Sequence, residues 1–117
     1  MKGRQHPALM APAAVLRLGH PLTEIEFCAW VAQAAPGDRL EYHRGYLVLD
    51  TYPLFSALDD KARGELARLA GRAFRAAEQG LVHLVQEREG PDRFAYIAVA
   101  RPKPKAAAAS LSALLLE

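Results

Sequence analysis

Apolar residues recur along this chain with two different periods, and each change of period marks an element. Phe27, Trp30, Val31 and Ala34 stand at i, i+3, i+4 and i+7, the spacing that gathers side chains on one face of a helix. Ahead of the stripe, Thr23 can accept a hydrogen bond from the Glu26 amide while the Glu26 carboxylate reaches back. Leu22 and Phe27 take the two positions of a hydrophobic staple. A helix is therefore predicted from residue 23, and Pro36-Gly37 stops it. Leu40-Glu41-Tyr42 and Tyr46-Leu47-Val48-Leu49 suit a pleated surface, with Gly45 between them, so a β-hairpin or a kinked strand is expected.

Past Pro53, Ser56 with Asp59 three residues on signals another helix start. Leu58, Ala62, Leu66, Leu69, Ala73 and Ala77 share a face as far as Gln79, and Gly80 offers a left-handed C-cap. A glycine inside a helix costs about 0.8 to 1 kcal/mol relative to alanine. Gly64 therefore leaves two outcomes open: one helix over residues 57–79, or a short helix, a turn and a longer helix over 65–79. Residues 81–86 (LVHLVQ) and 94–99 (FAYIAV) are the strongest strand runs, and Gly90-Pro91-Asp92 joins them as a β-hairpin.

The ends read differently. Residues 1–21 hold three prolines and no clear period, so they are expected to form a loose arm with a short extended piece over 15–18. Residues 22–102 form the single domain. Residues 103–117 form a tail that is either frayed or helical; its leucines at 111, 114, 115 and 116 would suit docking on this molecule or on a second copy, which makes a homodimer through the tail an expectation. Helices packed on a small antiparallel sheet with a C-terminal β-hairpin satisfy this order, an α+β fold that is winged-helix-like in its sequence of elements.

Composition adds a few bounds. The chain has 117 residues, enough for one core, with 51% hydrophobic and 24% charged residues, the balance of a globular domain. The single cysteine, Cys28, has no internal partner and falls in an apolar helical pattern, which suits a reducing cytoplasm. The opening MKGRQHPALMAPAAVLRL imitates a signal peptide, but Pro12 interrupts its apolar run and Arg17 closes it, so a cytoplasmic protein is expected. No segment is apolar for long enough to span a bilayer.

Charge is segregated rather than abundant, with a net value of +2. On a helical wheel, Lys61, Arg68, Arg72 and Arg75 fall within a band about 60° wide, beside the apolar face. Such a band could lie along a nucleic-acid phosphate backbone, with residues 87–93 as a wing and Arg44, Arg88 and Arg93 as secondary contacts. Two features compete with that reading: Glu65 and its neighbours could pair with the arginines, and the wing also holds Glu87, Glu89 and Asp92. Tyr42, His43, Arg44 and Tyr46 form either a polar turn, with Gly45 at positive φ, or a compact patch for a protein partner. A protein-interaction module or inhibitor is accordingly the second functional expectation. The four histidines His6, His20, His43 and His83 lie in different elements, and no nucleophile elbow, zinc spacing or phosphate-binding glycine loop occurs, so no enzyme, metal or cofactor is expected.

The segments GDRLEYHRGYLVLD and GLVHLVQEREGPDRFAYIAVARP resemble a group of small proteobacterial and phage-associated proteins, over roughly residues 22–102. That resemblance carries no known activity; it implies regulatory or mobile-element biology and nothing catalytic.

Overall fold

Thr23 and Glu26 close a reciprocal cap on the first helix. In the computed structural model, which describes residues 14–103, the Glu26 amide donates to Thr23 Oγ1 at 3.1 Å and the Thr23 amide donates to Glu26 Oε1 at 2.9 Å. The tail leucines and the expectation of a tail-mediated dimer lie outside the described residues. Helix α1 runs over Glu24–Gln33 and buries Phe27, Cys28, Trp30 and Val31, with Ala34 completing the stripe. Burial pushes the Cys28 thiol above its ordinary value, which keeps it protonated.

Strand β1 (Val15–Leu16) pairs in parallel with β2 (Arg39–Gly45), so the sheet is mixed, and the expectation of a purely antiparallel sheet is corrected. The second arm expected at residues 46–49 is not a strand. After Gly45, at φ +146, the chain coils into the short helix α2 (Leu47–Asp50). The amides that would extend a strand are taken by side chains: Tyr46 N donates to Asp50 Oδ2 at 3.0 Å, and Leu47 N donates to Tyr96 Oη at 2.9 Å.

Helix α3 is a single unbroken element, Asp60–Glu78, capped by Asp59 rather than Ser56: the Ala62 amide donates to Asp59 Oδ1 at 2.8 Å. Leu66, Leu69, Ala73 and Ala76 are buried along its inner face, and that burial outweighs the cost of one interior glycine. Its end is a Schellman turn, in which Leu81 N donates to Ala76 O at 2.9 Å and Gly80 N to Ala77 O at 3.0 Å. The chain then enters β3 (Val82–Gly90) and returns as β4 (Arg93–Ala100), with Gly90 paired to Arg93 across a Pro91-Asp92 tip.

The strand order is β1-β2-β4-β3, and α1 and α3 pack on one face: an α+β fold. Leu40, Tyr42, Tyr96, Ala98, Ala100 and Val82 meet those helices in the main core. β4 is buried on its other face too. Ala95 and Ile97 are fully buried yet stand outside the main cluster, and the register sets Ala95 between Arg44 and Glu87, and Ile97 between Glu41 and Val85. Charged side chains lying across the strands roof this second apolar strip. No helix among the described residues is long and apolar enough to cross a membrane.

Two glycines test this backbone in opposite directions. A Cβ at Gly64 would meet only the flexible tip of Arg68, at 3.3 Å, so Gly64→Ala is expected to stabilise the protein by about 0.5 to 1 kcal/mol. A Cβ at Gly45 would collide with the Asp50 carboxylate at a backbone angle that side chains rarely adopt, so Gly45→Ala is expected to destabilise by about 1 to 3 kcal/mol. Urea denaturation midpoints measure both; a destabilising Gly64→Ala would mean a break in α3.

Candidate nucleic-acid interface

The tight turn after α3 reverses the chain, so α3 and β3 lie side by side and run in opposite directions. Nineteen helical residues span about 28 Å and nine strand residues about 30 Å. The start of α3 therefore sits at the same end of the sheet as the β3–β4 tip. The neighbours agree. Leu58, Ala62, Leu66 and Leu69 face Tyr42 and His43 across a cleft of about 540 Å³, and the next β2 residues, Arg44 and Gly45, pair with Ala95 and Phe94 beside the tip.

The predicted basic band divides along the length of α3. Lys61 is exposed at this end, and Arg68 is 60% exposed, its Nε 3.6 Å from Glu24 Oε1. Arg72 is only 16% exposed and donates from Nε to Glu24 Oε2 at 2.8 Å, tying α3 to α1. Arg75 is half-buried in the last turn, its guanidinium beside Gly71, at the opposite end of the helix. The acid that faces the arginines is thus Glu24 on α1, while Glu65, the neighbour singled out from sequence, stands exposed on the cleft wall. Arg63 pairs with Asp60 at 2.7 Å.

At the hairpin, the acids that opposed a cationic wing are already engaged. Glu87 accepts from Arg39 Nη2 at 2.9 Å, and Glu89 accepts from Arg44 Nη1, each pair reaching across β4. Arg88 is exposed, with its guanidinium 5.8 Å from the centre of the Phe94 ring, and Arg93 is exposed next to it. Asp92, at φ 53, is the tip's remaining carboxylate. Among the described residues Lys and Arg together equal Asp and Glu, twelve of each, so any attraction for a polyanion comes from placement and not from net charge.

A β-bulge at Tyr42 governs the other predicted patch. Glu41 pairs with Ile97 and His43 with Tyr96, leaving Tyr42 as the extra residue. The bulge inverts the alternation of the strand: Tyr42 and His43 both turn inward, and Arg44 turns outward beside Glu41. Tyr42 is 7% exposed, edge-on to Phe27 at 6.4 Å, and burial pushes its phenol up to about 12. His43 Nε2 lies 2.7 Å from Asp50 Oδ2, and the Tyr46 ring meets Phe94 edge-on at 5.6 Å. Tyr42 is thus buried in the core, while His43, Arg44 and Tyr46 are half-buried and engaged within the molecule. Gly45 does take a positive φ.

On the sheet's outer face, Glu41 joins the network by accepting from Arg17 Nε and Arg44 Nη2, each at 2.9 Å. Desolvation pushes its carboxyl up, but the hydrogen bonds from Arg44 and Arg17 outweigh it, and the group ends below its ordinary 4.5. Among the described residues no three His, Cys, Asp or Glu side chains converge where they could hold a metal. Compared with known proteins, the chain matches no family model, no curated protein and no solved structure.

Glu41→Gln is expected to lower stability at pH 7 by about 1 kcal/mol. A carboxyl held below its unfolded value contributes fully above 4.5 and loses that contribution as pH falls through the lower, folded value. The gap between variant and parent should therefore narrow below 4.5 in denaturant titrations at stepped pH. A gap that widens on acidification would contradict the network.

Proposed function

We propose that the chain is a small nucleic-acid-binding protein, regulatory and DNA-directed, with a winged-helix-like domain. The observation that carries the reading is that the first half of α3, bearing Lys61 and Arg68, and the hairpin tip, bearing Arg88 and Arg93, lie toward the same end of the sheet. A recognition helix and a wing need that adjacency. The element order around β2, α3 and the hairpin, with β2-β4-β3 neighbouring in the sheet, also suits a winged helix. The pairing of Glu87 and Glu89 with Arg39 and Arg44 supports the reading further, because it leaves the tip cationic. In this proposal Arg72, Arg75 and Arg44 hold the scaffold, and phosphates are met by Lys61, Arg68, Arg88 and Arg93.

A second reading, a protein-interaction module without nucleic-acid binding, draws on a different observation. Val48, Leu54 and Phe55 are 69%, 80% and 68% exposed on the segment that leads into α3, with Tyr52 stacked on Phe55 at 5.3 Å. Apolar side chains so exposed mark a contact surface.

Anisotropy of a labelled duplex titrated across a salt series tests the first reading. Four phosphate contacts give a slope of log affinity against log salt of about −3 to −4. Reversing Arg88 and Arg93 to Glu, or Lys61 and Arg68 to Glu, should each weaken binding at least about tenfold and flatten the slope. Leu54→Ser with Phe55→Ser should leave it unchanged. Binding indifferent to salt and to both reversals would remove the proposal.

A further inference from the structure

Strand β3 forms one edge of the sheet, and all nine of its residues lie beside β4 on one side only. Every second residue of such a strand turns its N–H and C=O away from the sheet. Among the described residues the backbone of Val82–Gly90 makes no hydrogen bond on that outer side. The opposite edge is β1, which is two residues long. β3 has none of that brevity, and it carries neither proline nor lysine; its bulge, between Arg88 and Gly90, lies at the tip. An exposed edge of this length, with Val85 39% exposed in its middle, is a template for a further strand.

We propose that the occupant is β3 of a second copy, paired antiparallel about a twofold axis at Gln86, so that two sheets join into one. The sequence of the edge, VHLVQEREG, selects both the partner and the register. An isologous contact about an axis normal to the sheet pairs residues of the same face. The register that overlaps all nine residues is centred on Gln86; it sets His83 against Glu89, Leu84 against Arg88 and Val85 against Glu87, and no like charges meet. Moving the centre to Glu87 would set that carboxylate against its own copy, and moving it to Arg88 would do the same to a guanidinium. Like charges exclude the centres at Glu87 and Arg88, and the longest overlap favours Gln86 over Val85, an arrangement in which the exposed Val85 methyls pack along the stem of Glu87 from the other copy. Of the four cations at the tip only Arg88 lies on this edge, and failure of the nucleic-acid reading would leave the edge pairing standing.

Cysteine scanning and mass measurement on the full chain test it. In the proposed register the two Gln86 Cα atoms lie about 4.5 to 5.5 Å apart, within disulfide reach, while the two Glu87 Cα atoms are offset by two residues and out of reach. Gln86→Cys should form a disulfide-linked dimer under mild oxidation and Glu87→Cys should not; Cys28 is buried and does not interfere. Light scattering over a concentration series should find a dimer that Val85→Glu, which places two carboxylates opposite each other, weakens at least about tenfold and that Val85→Lys preserves. Should Val85→Glu fail to fold, the two cysteine variants decide. A chain that stays monomeric at every concentration overturns the proposal, as does a dimer indifferent to Val85→Glu or cross-linked equally well at position 87.

Discussion

The middle of β4 is buried on both faces, and most of the architecture follows from how the second face is covered. One face meets α1 and α3 in an ordinary apolar core. The other, at Ala95 and Ile97, is covered by side chains that carry charge: Arg39 reaches Glu87, and Arg44 bridges Glu41 and Glu89. Their aliphatic stems cover the strip and their charged heads pair with one another, so a single layer of helices suffices for a central strand buried on both faces. Arg17 extends the lattice to the segment just past β1, linking the sheet from one edge to the other.

This arrangement decides which charges are available for anything else. Three of the seven cations that the sequence singled out belong to the scaffold: Arg44 in the roof, Arg72 in the bond between α3 and α1, Arg75 against the last turn of α3. The acids that weakened the idea of a cationic wing are scaffold as well. What remains facing outward at one end of the sheet is a smaller set, Lys61, Arg68, Arg88 and Arg93, with the exposed carboxylates Asp59, Asp60, Glu65 and Asp92 among them. Because charge balances over the described residues, the proposed attraction for a polyanion rests there on this local sorting.

Elements whose signals are local could be read from the chain directly. The Thr23 and Glu26 cap, the Phe27 to Ala34 stripe and the β3–β4 hairpin each need only residues within a few positions of one another. The sites could not, because their partners come from distant elements. Nothing near Arg72 indicates that Glu24, 48 positions earlier, will receive it, and nothing near Arg44 announces Glu89. The Tyr42 bulge is harder still: it inserts one residue into β2 and so reverses the alternation after it, turning His43 inward beside Tyr42 and Arg44 outward. Residues 46–49 went astray for a related reason, since the Asp50 carboxylate captures the Tyr46 amide and favours a helical turn over a strand rich in apolar residues.

The central claim is that sorting of charges by the sheet roof leaves one working end on the molecule, where α3 begins and the hairpin turns. Backbone amide shifts of the labelled full chain, followed by nuclear magnetic resonance during titration with a short DNA duplex, address that claim residue by residue. The account predicts perturbations that cluster over residues 60–68 and 88–93 and spare Arg72, Arg75 and the outer sheet face. Shifts concentrated on the apolar segment 48–58, or no shifts at all at low salt, would contradict it.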